Sequence, residues 1–368
     1  MKNVPFFDYP QLWTKEKEEL QNLIDNTSSR GGFIMQSELE DFETSLAKYT
    51  GSEYSIGVGN ATDAMEIYFQ AIGLREGDEI IISSHTMLAT ASAVIQAGGK
   101  PIPVDIGPDN LIDPESIEDA IGHRTVGIMP TQLNGRTCNM DKINAIADKN
   151  SLFVVEDSAQ ALGSKFKGKS AGTFGLSSCI SFFPAKVLGC LGDAGAILVQ
   201  DNSLYENCYQ IHDHGRNKEG EVMCWGRNSR LDNLQAAILN YKLKDYDKVI
   251  SRRREIASIY QEQLSELEEL SLPPSPDSSE EHFDVYQNYE LAADKRDILK
   301  NHLAENGIGT LIQWGGMAIH HFRNLGFNQE LPVTDKFFKE CIMLPMNVFI
   351  TNEDVDYICE TIKNFYRG

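Results

Sequence analysis

The sequence predicts an α/β protein: a large domain on a mostly parallel, mixed sheet covered by helices, then a smaller C-terminal α+β domain. Three observations carry this. Strand and helix signals alternate from about residue 50 to 215. The strands are short continuous apolar runs, the pattern of a sheet buried on both faces. The chain, at 368 residues, is longer than one small core accommodates. The expected division puts residues 1–245, with an N-terminal arm, in the large domain and 246–368 in the small one.

The elements follow in order. Tyr54–Val58 is a short strand. Asn60 to Gly73 is helical, with Met65, Ile67, Tyr68, Ala71 and Ile72 forming a broad apolar face. Gly77-Asp78 turns the chain into a strand at Glu79–Ser83. A helix at Leu88–Gln96 stops at Gly98-Gly99, before a strand at Pro101–Val104. Asp113-Pro114-Glu115 has cap, proline and acid in the order that starts a helix. Val126–Met129 is a strand, Asp141–Lys149 a helix, and Leu152–Val155 a strand ending in Glu156-Asp157. Strands at Cys179–Phe183 and Ala196–Val199 follow. Residues 230–265 read as one long helix and the proline-rich 271–281 as a loop. Beyond it the pattern gives a strand at Val285–Leu291 and helices at Lys295–Asn306 and Asn352–Phe365.

The formal charge of −21 argues against nucleic acid and anionic membrane surfaces as partners. Seven scattered cysteines without paired or metal-ligand spacing predict reduced thiols and no metal site. No apolar run approaches the ~20 residues that span a bilayer, and the first residues lack a signal-peptide core. The expectation is a cytoplasmic protein.

Lys186 is the foremost candidate for chemistry. It stands just past the apolar strand, after Pro184, and Gly189, Gly192 and Gly195 follow it. A lysine among residues that admit close backbone approach can be desolvated, lose its proton and act as a nucleophile; the plainer alternative is a surface lysine on a loop. Gly57-Val58-Gly59-Asn60-Ala61-Thr62 joins a strand to a helix N-terminus, a natural phosphate site to which Thr62 adds a hydroxyl. The rival is a dinucleotide turn, and with it a nicotinamide-dependent oxidoreductase. Thr62 stands where that fingerprint needs glycine, and an ordinary capped helix is a third reading. Asp157 lies at the C-terminal edge of a sheet strand, where a carboxylate faces the ligand crevice and can hold a protonated ring nitrogen. It can equally cap the next helix. Gln160 can donate to a ring oxygen, and Ser181 can serve as a second phosphate ligand. Phosphate cradle, crevice aspartate and later lysine together match pyridoxal 5'-phosphate.

The chain resembles the nucleotide-sugar aminotransferases of the DegT type, within the aspartate-aminotransferase-like fold (fold type I of the pyridoxal-phosphate transferases). The matching motifs are GNATDA (59–64), GDEIIISSHTMLAT (77–90), VVEDSAQALGSKFKGKSAGTFG (154–175), SFFPAKVLGCLGDAGA (181–196) and GRNSRLDNLQAAIL (226–239). The resemblance implies that Lys186 is the Schiff-base lysine and that Asp157 pairs with the pyridine nitrogen. It puts Gln160 at the ring hydroxyl side, and Ala61, Thr62 and Ser181 on the phosphate. Asn228 is similar to the asparagine that family members lend to the partner subunit's phosphate, which implies a homodimer with shared sites. His214 and His320 match histidines near the sugar region. Met87 takes the place of the usual aromatic residue on the cofactor face, and a thioether can pack there. Gln132-Leu133-Asn134-Gly135 departs from the family's His-Leu-Tyr-Gly; Ala61-Thr62 and Ala194-Gly195 depart from its Gly-Thr and Gly-Gly.

The resemblance further implies transfer of an amino group from L-glutamate, leaving 2-oxoglutarate, to a nucleotide-linked keto sugar at carbon 3 or 4. The product would serve surface glycan or antibiotic biosynthesis. Relatives that put histidine at the lysine position are dehydratases, so Lys186 favours transamination. Arg30, Arg216, Lys218 and Arg230 are candidate partners for the pyrophosphate. A non-catalytic regulator keeping the fold is the remaining rival.

Overall fold

Seven aligned segments form the central sheet of the computed structural model, which describes residues 2–368. The strands of the first half are β1 (Tyr54–Val58), β2 (Glu79–Ser83), β3 (Lys100–Val104), β4 (Thr125–Met129), β5 (Phe153–Val154) and β6 (Glu156–Asp157). A small hairpin follows, β7 (Lys165–Phe166) and β8 (Lys169–Ser170), and then β9 (Ser177–Ser181) and β10 (Gly195–Val199). One half has the order β3-β2-β4-β5 and is parallel throughout. The other has the order β1-β10-β9-β6, and only β10 runs against its neighbours. Asp157 joins the halves: its N–H donates to Pro130 O (3.0 Å) and its C=O accepts from Gln132 N (2.8 Å). The expected strand at 152–157 is thus one line interrupted at Val155, pairing with β4 before the break and β9 after it.

Burial explains why these runs form strands. Ile80, Ile81 and Ile82 are all fully buried although consecutive side chains point to opposite faces. Helices Ala61–Ile72 and Leu88–Gln96 pack in one core with β1 and β2, while Ile81, Val104, Ile128 and Val154 join Met140–Asn150 in another. Each such side chain contributes about 1.5–3 kcal/mol relative to exposure. The helix starts at Asn60 and Asp113 are capped, Asn60 Oδ1 accepting from Asp63 N and Asp113 Oδ2 from Ser116 N, whereas no helix follows Asp157, so its reading as a cap is corrected.

The C-terminal part carries a sheet of β11 (Leu270–Ser271), β13 (Tyr289–Ala293) and β14 (Cys341–Leu344), while β12 (His282–Phe283) pairs with β7 of the large sheet's crossover. Its core runs from Ile256 to Ile362 and takes in Val4 from the other end of the chain.

Three expectations need correction. Residues 230–265 hold two helices, Asn233–Leu243 and Tyr246–Leu264, separated at Lys244-Asp245. The strand read at 285–291 lies at β13, because Tyr286 has φ +51° and cannot continue an extended run. The strand read at 179–183 is β9 and ends at Ser181. Helices Tyr9–Ser29, Ser37–Thr50, Asn202–His212 and Pro332–Glu340 and strand β14 lie where no element was read. All seven cysteines are free thiols, and only Cys224 is exposed.

Candidate active site

The loop after β9 is folded back on itself by close contacts. Lys186 N donates to Phe183 O (2.8 Å), and a Cβ on Gly189 would lie 2.8 Å from Pro184 O, so a side chain there would open the turn. Phe182 anchors the loop: it is fully buried, with its ring edge-on to Phe42 at 5.2 Å, a pairing worth about 0.5–1.5 kcal/mol beyond burial. Gln287, from the C-terminal part, clamps both sides of the lysine. Its Oε1 accepts from Val187 N (2.9 Å) and its Nε2 donates to Ala185 O (2.9 Å).

A cavity of about 480 Å³ opens beside this loop. Lys186, Asp157, Gln160, Ser181, Ala61, Thr62 and Met87 all line it. Burial lowers the Lys186 ammonium pKa from its ordinary value, and the nearby Asp157 carboxylate opposes that shift. Asp157 is almost fully buried and held by three donors: Thr90 Oγ1 (2.7 Å), Ala159 N (3.1 Å) and Cys179 Sγ (3.4 Å). Burial, then the Asp157 charge, push the Cys179 thiol pKa well up, so it stays a donor. Thr90 is itself bonded to Thr86, and Thr86 to Thr131, in a buried hydroxyl chain. Gln160 Oε1 accepts from Asn134 N (2.9 Å). That fixes the amide orientation and leaves Nε2 as its free donor.

The cradle at Asn60–Thr62 owes its closeness to Gly195. A Cβ there would lie 2.5 Å from the Asn60 carbonyl carbon and 2.7 Å from Ala61 N, so β10 can touch the head of the Ala61–Ile72 helix only without a side chain. The amides of the first helical turn lack intrahelical partners by construction. The dinucleotide reading fails on topology. β1 is an edge strand beside the antiparallel β10, and Gly57 is small to fit Leu39 and Leu231, whose side chains would stand 2.6 and 2.9 Å from a Cβ.

Other anticipated residues are not at this cavity. Asn228 and His214 are exposed on the loop 213–230, where Asp213 and Asn228 bridge. Ser229 ties that loop to the cradle through Gly59 N and Asp63. His320 is fully buried, with Nδ1 on Ser84 Oγ (2.7 Å) and Nε2 on Asp335 (3.0 Å), which corrects its expected place beside the sugar. His321 meets the same carboxylate; its Nδ1 accepts from Ala318 N, so the neutral ring carries its proton on Nε2 and donates it. These three groups therefore close a hydrogen-bonded clamp. Arg30 pairs with Glu38 and Arg230 with Asp213, while Lys218 lies over the Tyr205 and Tyr209 rings. Neither they nor Arg216 line the cavity in this chain. Gln287, Thr90 and Phe7 were not singled out in the sequence. Thr90 alone left a signal, four residues after Thr86 at the start of a helix.

The chain is similar to known proteins in sequence and fold. The model of the DegT/DnrJ/EryC1/StrS aminotransferase family matches residues 14–363. The "Pleiotropic regulatory protein" of Geobacillus stearothermophilus is 37% identical over 99% of both chains. The dTDP-3-amino-3,6-dideoxy-alpha-D-galactopyranose transaminase of Aneurinibacillus thermoaerophilus is 36% identical over 98% of this chain and 99% of its own. The crystal structure of S. venezuelae DesV, in complex with a ketimine intermediate, superposes with a TM-score of 0.94 at 30% identity, over 99% of both chains. That of NtdA from Bacillus subtilis, with bound cofactor PMP, superposes with a TM-score of 0.91 at 30% identity, over 100% of this chain and 86% of that one. With a family model spanning almost the whole sequence and relatives above one-third identity, the chain belongs to the pyridoxal-phosphate-dependent DegT/DnrJ/EryC1/StrS aminotransferase family.

Proposed function

We propose that this protein moves the amino group of L-glutamate onto a keto sugar carried by a nucleoside diphosphate, at sugar carbon 3 or 4. The carrying observation is that one cavity gathers Lys186, Asp157, Ser181 and the Asn60–Thr62 cradle. The residues fit pyridoxal phosphate: a cradle open only because Gly195 lacks a Cβ, a rigidly held carboxylate, and a partly desolvated amine. When bound, the cofactor supplies an aldehyde carbon that exchanges amino groups and a ring that accepts electron density. The chain supplies the rest. Helix-head amides, Thr62 and Ser181 hold the phosphate. Asp157 keeps the ring nitrogen protonated, and Gln160 Nε2 donates to the ring oxygen. Met87, in the cavity wall, would pack on the ring face. Lys186 Nζ would anchor the group and would take and return the proton of the reacting C–H.

The reading extends to a homodimer. Asn228 and His214 stand on an exposed loop that carries Arg216, and in a dimer this loop reaches the partner's cavity, with Asn228 at the phosphate. We further infer a boundary near residue 245, between the sheet-bearing and C-terminal cores, and a cytoplasmic enzyme feeding O-antigen-like glycans or antibiotic sugars. In support, no helix among the described residues is long and apolar enough to cross a membrane. The test is a screen of keto-sugar nucleotides with glutamate, following 2-oxoglutarate. Release with at least one of them is expected; none with any, from protein loaded with cofactor, overturns the assignment.

A further inference from the structure

A short N-terminal strap crosses the lysine loop on the side away from the cradle. Val4 fixes one end: its N–H donates to Gly307 O (2.8 Å), its C=O accepts from Gly309 N (2.9 Å), and its side chain is buried in the C-terminal core. The fit leaves no room for side chains beneath, since a Cβ on Gly307 would lie 2.1 Å from Lys2 O and one on Gly309 2.8 Å from Phe6 N. Asn347 Nδ2 holds Pro5 O (2.8 Å), and Asp8 fixes the other end by capping the Tyr9–Ser29 helix through Gln11 N. Between these anchors stands Phe7, edge-on to Phe6 and stacked on Tyr9 at 4.7 and 5.4 Å. Phe7 lines the 480 Å³ cavity and also a recess of about 100 Å³ on its other side; Lys186 and Gln287 likewise border both.

We propose that Phe7 is a positioning residue for Lys186, its ring walling water off the ε-amine where the two hollows meet. The inference rests on the reading of Lys186 as the reactive amine. It names a task for a strap that neither the sequence motifs nor the family match assigns. Phe7 is 39% exposed, and its ring fills part of the space bordering the same two hollows as the amine; an apolar surface there favours the uncharged form, because it replaces solvent that would stabilise the ammonium. The charged and titratable groups around the amine are Asp157 and Cys179 from the sheet, Asp193 in the cavity wall, and Asp8, Tyr9 and Arg253 in the recess.

The test uses full-length cofactor-free protein, labelled with acetic anhydride over a pH series, with Lys186 labelling read by peptide mass spectrometry. Phe7→Ala is expected to raise the midpoint by about one pH unit, roughly tenfold less labelling below it. Phe7→Tyr keeps the wild-type midpoint, and Ile298→Ala, on a distant exposed surface, leaves it unchanged. A Phe7→Ala midpoint equal to wild type, in protein with an unaltered melting temperature, overturns the proposal. So does an equal shift in Phe7→Ala and Phe7→Tyr, which marks a disturbance of the strap and not loss of the ring. Because the readout needs neither cofactor nor substrate, an enzyme inactive towards every keto sugar with the Phe7 shift intact would overturn the function and leave this inference standing.

Discussion

At the residue scale the chemistry depends on which groups keep their charge where water is scarce. Asp157 has both oxygens occupied by donors and none by a cation, so the carboxylate is fixed in orientation for a partner that arrives with the cofactor. Asp157→Asn preserves shape and removes that charge. Turnover of glutamate is expected to fall by about 10²–10³, the usual cost of deleting a charge-stabilising group, with the fold intact by circular dichroism. Unchanged turnover would remove Asp157 from the mechanism. Lys186, Asp157 and Ser181 were legible because sequence position alone puts them at strand ends. Gln287 was not, because its contacts span about a hundred residues of sequence to Ala185 and Val187. His320 misled for the opposite reason: a histidine's sequence neighbours do not reveal that Ser84 and Asp335 engage both its nitrogens.

At the scale of elements, the site is made by close approach of β10 to the helix that follows β1. Gly195→Ala puts a methyl 2.5 Å from Asn60 carbonyl carbon. It should cost about 1–3 kcal/mol of stability, as overpacking does, and weaken cofactor binding measured by equilibrium dialysis. Retention of wild-type affinity would mean that the cradle tolerates displacement. The Ser37–Thr50 helix adds a pH-dependent contact. Glu43 Oε1 accepts from Gly57 N (2.7 Å), and burial pushes its carboxyl up to about 7. A folded-state pKa raised above the unfolded one means the native state binds the proton more tightly. That stability is fully present below the ordinary carboxylate range and is lost as pH rises through about 7. Melting temperature should therefore decline across this window in the wild type and less steeply in Glu43→Gln; parallel profiles would count against the shift.

Elements with apolar runs were legible to within a residue or two, as at Glu79–Ser83 and Leu88–Gln96. Tyr9–Ser29 buries only Leu20 and Thr27 along 21 residues, yet Leu12, Trp13, Leu20, Leu23 and Ile24 recur at helical spacing and made it findable. Ser37–Thr50 was findable, since Leu39, Phe42 and Leu46 repeat at helical spacing. β9 starts with two serines that hide its beginning, although Ser177 Oγ bonds Leu198 O inside the sheet.

For the whole molecule, the mixed sheet brings the cradle, Asp157 and the lysine loop to one rim, which Gln287 of the C-terminal part and the N-terminal strap close. Asn228, outside this rim in its own chain, makes the proposed homodimer testable. Lys186→Ala and Asn228→Ala proteins should each be nearly inactive. When unfolded and refolded together, each mixed dimer would carry one site free of both changes, so activity should reach about a quarter of wild type if subunits pair at random. No recovery would show that sites are not shared. The α/β class and the places of its main strands along the chain were readable from alternation alone, but not their order across the sheet. The antiparallel β10 and the strap were not, because both depend on contacts between segments far apart in sequence.

The central claim is that Lys186 Nζ is the atom that holds the cofactor. Reduction of the cofactor-loaded enzyme with borohydride, followed by proteolysis and mass spectrometry, tests it directly. The expected result is one pyridoxyl-phosphate adduct, on the peptide bearing Lys186 and absent from Lys186→Ala. An adduct on another lysine, or a visible-absorbing bound cofactor that Lys186→Ala retains covalently, would contradict it.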